Sequence, residues 1–369
     1  QAGSIKWKLL STVVIATIII IAGILFYPKF FRGTIKPDLE KSVAVMTFKN
    51  LTGDTINNYL AEMQHEALYH ELGKISQVKP LRIVGPRTTS VFEENRKTVS
   101  EVARDANVEY IIEGSLLNTG VVEEILVRLI QVFPEERLIW DDNYTSDRKN
   151  ILKLYNDIAG LLAQKIGLDL LPQDQVKLPK PRLVNPQSYE AYTRGMTELE
   201  KSTDEGMKKG LEYLLEAVNL APEDPFANAG LALGYITIAH SALDAGDALE
   251  KGEEYAYKAL MLDSTMAQVH AALAVTYLYY SWKFEESEKH FKRALELDPN
   301  LDWAHYHYSW ALYLWGRLDE AIAEHKLAQK YDPYNPLHTA WLGALYNVAG
   351  RYDDAIDCAL ESFKMEKDY

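Results

Sequence analysis

Apolar and polar positions follow three different periods along this chain, and each period marks a different kind of element. Between Leu9 and Pro28 there is no charged residue at all. At 1.5 Å per residue such a run covers roughly 30 Å, the hydrocarbon thickness of a bilayer. Trp7 and Tyr27 stand near its ends, where interfacial aromatic rings belong. The pattern predicts a transmembrane helix over 9–28, with a juxtamembrane tail at 1–8 and a linker at 29–40. A secretory signal peptide would have a shorter apolar core and a small-residue cleavage site, whereas Tyr27-Pro28-Lys29-Phe30-Phe31-Arg32 closes this run. Lys6 and Lys8 precede the segment and Lys29, Arg32 and Lys36 follow it, so flanking charge leaves its orientation open.

Residues 41–171 switch between strand-like and helical periods, which predicts a mixed α/β domain. The apolar run at 42–48 reads as a strand and ends at the turn cluster Asn50-Leu51-Thr52-Gly53-Asp54. A helix is expected over 56–73, with Leu60, Met63, Leu68 and Leu72 at helical spacing. Further strands are expected at 81–84, 110–115, 124–130 and 137–140, with helices at 99–106 and 149–167. Pro172, Pro179, Pro181 and Pro186 then predict an extended, semi-rigid linker over 172–186.

From 187 to 369 the helical period carries a longer one superimposed on it. Asp298-Pro299 returns 34 residues later as Asp332-Pro333, Gly316 as Gly350, and Ala321-Ile322 as Ala355-Ile356. This spacing of small residues and prolines is that of tetratricopeptide (TPR) helix pairs, and about five pairs are expected, stacked as a right-handed α-solenoid. The third pair carries Trp282 where the next two carry the turn glycine. The last pair ends at Tyr369 with no polar capping helix in view, so further repeats are expected beyond it.

The α/β segment also carries a resemblance. The run Ser42-Val43-Ala44-Val45-Met46-Thr47-Phe48, the cluster at 50–54, Glu113-Gly114-Ser115 and Leu138-Ile139-Trp140 look like the TolB-like amino-terminal domain of bacteria. Its continuation into TPR repeats is also typical of that family, although Thr47 replaces a usual proline and no β-propeller follows. The resemblance implies a membrane-anchored bacterial signalling or regulatory protein. Residues 41–369 would form its extracytoplasmic sensory or scaffolding half, on the periplasmic side of the inner membrane. A winged-helix, cyclase or kinase output module would stand upstream of Gln1.

Charge and chemistry refine this reading. The formal net charge is −14, which argues against a nucleic-acid-binding surface. Cys358 is the only cysteine, so neither an intrachain disulfide nor a cysteine-based zinc site can form. Gly114 to Gly120 lacks the Gly-Lys-Ser/Thr of a phosphate loop and reads as a strand turn, with Glu123 and Glu124 solvated beside it. His305 and His307, two apart on a helix, point in different directions, and Glu286 with His290 gives only two ligands. No catalytic, cofactor or metal residues are therefore assigned, and no enzyme is expected in this segment.

The aromatic residues carry the binding expectation. Trp303, Tyr306, Trp310 and Tyr313 fall at i, i+3, i+7 and i+10, on one helix face. The TPR resemblance implies that such positions line the concave groove, and Tyr279 and Tyr280 occupy them in the preceding repeat. The stripe reads either as inter-repeat core or as a groove for an apolar or proline-rich peptide. A protein or peptide partner, the membrane through 9–28, and a homodimer are the expected associations. An α/β domain that binds a small molecule or hydrolyses one, with the repeats as a docking platform, is the alternative, as is an envelope assembly factor.

Overall fold

The computed structural model describes residues 41–94, 97–119, 122–201, 203–241 and 246–367. Six strands form one sheet: β1 (Lys41–Val45), β2 (Lys49–Asn50), β3 (Leu81–Val84), β4 (Tyr110–Thr119), β5 (Glu123–Gln131) and β6 (Arg137–Ser146). Their order is β3-β1-β4-β5-β6, with β2 beside β4. The strands β1, β2 and β3 run parallel to their neighbours, whereas β4, β5 and β6 form an antiparallel meander. The period of two in the sequence decides which side each residue faces. Val43, Val45, Ile83 and Ile112 pack in one core with helices α1 (Asn58–Ser76) and α4 (Ile151–Lys165). Ala44, Val84 and Ile111 pack in another with α2 (Pro86–Glu94) and α3 (Val99–Asp105).

A short helix α5 (Pro172–Gln175) leads to the helical half. Its pairs are α6 (Pro186–Glu200) with α7 (Asp204–Leu220), α8 (Pro225–Ser241) with α9 (Gly246–Leu262), and α10 (Ala267–Thr276) with α11 (Phe284–Leu297). Then come α12 (Asp302–Leu314) with α13 (Leu318–Tyr331), and α14 (Pro336–Val348) with α15 (Tyr352–Lys367). This is a TPR-like solenoid. Helix starts follow local chemistry: the Asn185 and Asn335 side chains accept from the first-turn N–H groups behind Pro186 and Pro336. Cys358 is buried in α15, with its Cβ against Gly343 of α14.

The turns inside the pairs repeat with the sequence. Gly316 and Gly350 take φ of 77° and 74°, and the Arg317 and Arg351 N–H groups donate to Leu312 O and Tyr346 O at 2.9 Å. These are left-handed helix stops that satisfy orphan carbonyls. In the third pair α10 runs on into a π turn, Tyr277–Ser281, and the closing bond from Lys283 N–H to Tyr277 O spans one residue more. Trp282 therefore holds the left-handed position at φ 52°, and the residue is 71% exposed. A side chain there costs about 1 kcal/mol that glycine avoids. Trp282→Gly is accordingly expected to raise the unfolding free energy in urea by about that amount, and a lower value would show that the Trp282–Phe284 ring contact at 5.9 Å outweighs the backbone term.

The two halves pack as one compact unit, Lys41–Tyr369, and one apolar core runs from the sheet into Tyr189, Leu214, Phe226 and Val269. The repeat turns form the seam. The His70 ring of α1 takes a hydrogen bond from Gln268, and Gly73 lies against Asp298 so closely that a Cβ would stand 2.7 Å from Oδ2. Asn300 accepts from Ile83 N–H at 2.9 Å and donates to Leu81 O at 3.0 Å, covering the open edge of β3. Farther along, Asp332 Oδ1 accepts from Thr88 N–H at 3.0 Å and from the Thr88 hydroxyl at 2.5 Å. Thr88 is the third residue of α2, whose capping position is Gly85, so Asp332 supplies the cap that glycine lacks.

Three expectations change. The expected fold class, with one transmembrane helix, is corrected to a mostly helical chain with one small sheet. Among the described residues no helix is long and apolar enough to cross a membrane, and residues 9–28 lie outside them. The longest described helix, α1, carries Glu62, Glu66, Glu71 and Lys74 along its length. The most apolar, α8, has 17 residues, short of the ~20 that a span needs. The assignment to a bacterial inner membrane, single-pass with a periplasmic soluble part, falls with it. The segment 172–186 has contacts with its surroundings: Lys79 pairs with Asp174 at 3.0 Å, Arg182 with Asp224, and Val184 N–H donates to Lys149 O.

Glu123 is the third correction. It is 1% exposed, and its carboxylate accepts from Gln64 Nε2 at 2.6 Å and Arg148 Nε at 2.7 Å. Burial pushes its carboxyl up, and the Arg148 guanidinium opposes that. The neighbouring glycine of the considered phosphate loop, Gly114, has a packing reason instead. The Phe48 ring lies where its Cβ would be, at 2.2 Å, and meets Tyr155 edge-on at 6.0 Å.

Candidate partner-binding groove

The expected groove residues are carried by the π turn after α10 and by α12. All six are half-buried. Trp303, Trp310, Tyr313 and Tyr279 rest one side of their rings on a core that includes Leu278, Tyr308, Leu312, Leu342 and Leu345. The helical period places them, since their Cβ atoms recur on one stripe of α12, and the small Ala304 and Ala311 between them are fully buried. Each ring is thus anchored by the repeat core and keeps part of its surface in solvent.

Ring contacts join them into a continuous band across three helices. Tyr279 meets His307 edge-on at 6.1 Å, and His307 meets Trp303 at 4.6 Å and Tyr306 at 4.9 Å. Tyr306 continues to Trp341 of α14 at 6.4 Å. Trp341 in turn meets Trp310 at 4.6 Å, and Trp310 meets Tyr313 at 5.5 Å. Tyr280, next to Tyr279 on the π turn, stands outside these ring pairs. Trp341 and His307 were missed by the sequence reading. Trp341 lies 34 residues, one repeat, after His307, and that spacing was the signal available.

Burial pushes the Tyr306 hydroxyl up to about 12, against a hydrogen bond from the Trp341 side chain. Burial likewise raises Tyr279. Beneath Tyr306, burial holds the His325 ring down to about 4, so it is neutral near pH 7, and it bonds Ser309 Oγ at 2.8 Å and His338 O at 2.8 Å. Rings held this way offer flat apolar faces with fixed orientation and little rotamer entropy left to lose.

The histidines weighed as metal ligands have other partners. His305 sits between Glu324, at 2.6 Å from Nδ1, and Pro299 O, at 3.0 Å from Nε2. His290 stacks on His270 with ring centroids 5.0 Å apart.

No protein-family model matches the chain. It is 26% identical over 275 residues to the transcriptional regulator HilA of Salmonella typhimurium (strain LT2), covering 74% of this chain and 49% of that protein. HilA of Salmonella typhi matches to the same extent. The chain spans about half the length of the curated relatives it matches. Among solved structures, it is similar to MamA at 17% identity and TM-score 0.34, over 47% of this chain and 94% of that one. It is also similar to YrrB, described as a TPR protein with an unusual peptide-binding site, at 17% identity and TM-score 0.32 over 48% and 88%.

Proposed function

We propose that this chain is the partner-binding half of a regulatory protein, and that its solenoid holds an extended, proline-rich protein segment in the aromatic band. The observation that carries this is the run of anchored, half-exposed rings from Tyr279 through Trp303, Tyr306, Trp341 and Trp310 to Tyr313. Proline rings stack on such faces, and an extended prolyl segment is already ordered before it binds. The absence of Lys and Asn from these positions speaks against a clamp for a terminal carboxylate. The likeness to a transcriptional regulator supports the regulatory part of the reading. The resemblance of 41–171 to a TolB-like domain is part of the same proposal and rests on the motifs at 42–48, 50–54 and 113–115.

Peptides selected by display on the purified chain, from a library rich in proline, test this directly. Trp310→Ala combined with Trp341→Ala is expected to weaken the selected peptides ~30-fold or more, the scale of a binding hot spot. Far-UV circular dichroism and the melting midpoint should hold. Equal binding by the double variant would sink the proposal. Loss of the fold would return the rings to the repeat core, and Tyr313→Ala, at the outer end of the band, would then be scored in the same assay.

A further inference from the structure

The seam holds a cluster of two acids and a histidine that the proposed groove does not use. Asp302, at the start of α12, Asp332, at the turn after α13, and His338, on α14, each offer a ligand atom, and these atoms all lie within 4.8 Å of one another. Asp332 and His338 are 3% exposed. Asp298, from the preceding repeat turn, is 4% exposed and lies on the same seam, against Gly73. The His338 Nε2 stands 3.1 Å from Asp302 Oδ2, and the Asn335 amide donates to Asp332 Oδ2 at 3.1 Å. Among the groups acting on Asp332, only His338 can carry a positive charge; Thr88 and Asn335 bring neutral hydrogen bonds and Asp302 a second negative charge.

Two buried polar atoms at the cluster lack partners. The Tyr69 hydroxyl, on a residue 4% exposed, has no hydrogen-bond partner. It lies one helical turn before Gly73 on the face of α1 that meets the seam, and the carboxylates it feels are Asp302, Asp298 and Asp332 of the seam and Glu66 of its own helix. The second is His338 Nδ1. A buried hydroxyl without a partner is costly, and so are two carboxylates held close together. A cation would offset both at once.

We infer that Asp302, Asp332 and His338 form a divalent-cation site that joins the fourth and fifth helix pairs where they meet the sheet half. Two carboxylates with one imidazole suit a first-row transition ion such as Zn²⁺ or Mn²⁺ better than Mg²⁺ or Ca²⁺, which take oxygen ligands. Ligand atoms around one tetrahedral ion with ~2.1 Å bonds stand about 3.4 Å apart. The His338–Asp302 pair, at 3.1 Å, is already near that spacing, and the widest pair, within 4.8 Å, has to close by at most about 1.4 Å, a movement of side chains. The Tyr69 hydroxyl would stand in the outer sphere, hydrogen-bonded to a ligand carboxylate or to water on the ion. This inference does not depend on the aromatic band.

Titration calorimetry of the EDTA-treated chain with Zn²⁺, Mn²⁺ and Mg²⁺ tests it. One equivalent of Zn²⁺ or Mn²⁺ is expected to bind, with Mg²⁺ far weaker, and to raise the melting midpoint. Asp302→Asn and His338→Gln should weaken the ion by more than about 100-fold, beyond the ~10–100-fold that an outer-sphere partner costs. Tyr69→Phe, which removes only an unpaired hydroxyl, should leave the ion-free midpoint unchanged or higher and weaken the ion ~10-fold. Absence of saturable binding, or Tyr69→Phe and His338→Gln titrating like the parent, would overturn the site. Should His338→Gln fail to fold, the Tyr69→Phe result decides by itself.

Discussion

Replacing Asn300 with alanine is expected to destabilise the chain by roughly 2–6 kcal/mol, two buried backbone groups left unpaired at about 1–3 kcal/mol each. The reason is geometric. Ile83 N–H and Leu81 C=O point outward from the free side of β3, two residues apart, as the groups that a parallel neighbour strand would bond. The Asn300 side-chain amide takes that neighbour's place, accepting from one and donating to the other, and it is 1% exposed, so water cannot substitute. Asn300→Asp keeps the acceptor but sets a carboxylate against Leu81 O, so a loss of similar size is expected. Urea unfolding of both variants measures the effect, and hydrogen exchange at Ile83 locates it. A change under about 1 kcal/mol, or an Ile83 amide that stays protected, would show that another group covers this edge.

The second large effect is expected at Gly114, where alanine should cost about 3 kcal/mol, the upper range for overpacking a core. A Cβ would be built 2.2 Å from the Phe48 ring, and that ring is itself 3% exposed, held edge-on against Tyr155. It cannot swing aside without opening the core beneath β4. The diagnostic is a double-mutant cycle with Phe48→Leu. The single Phe48→Leu change loses ring contacts, but combined with Gly114→Ala it should recover part of the loss, because the smaller side chain frees the space. Strict additivity would place the cost in the strand backbone and not in the ring.

The repeat was legible because its bonds close locally. A left-handed stop at Gly316 or Gly350 needs only its own helix, and Asn335-Pro336 caps the helix that it starts. Strand positions 81–84 were equally readable, since Leu81, Ile83 and Val84 between Pro80 and Gly85 leave few alternatives. Helix α2 was not predicted, because its capping residue is Gly85 and the side chain that caps it belongs to Asp332. The aromatic stripe on α12 was visible by its spacing, whereas Trp341 joined it only once α14 stacked beside α12. The apolar run at 9–28 lies outside the described residues, among which no helix has the length and apolarity for a membrane span.

By itself, then, the sequence determined the periods: two in the strands, 3.6 in the helices and 34 in the pairs, and with them the helical repeat. These follow from backbone bonds and side-chain directions that each segment sets within a few residues. Only the tertiary structure decided that the Asp-Pro turns, which locally just end helices, are the ledge on which the sheet half sits. That use depends on partners 217 residues apart for Ile83 and Asn300 and 244 for Thr88 and Asp332. No local propensity encodes contacts of that separation; they exist because burying the edge of β3 and the open start of α2 leaves polar groups that must find partners, and the repeat turns are what packing brings to them.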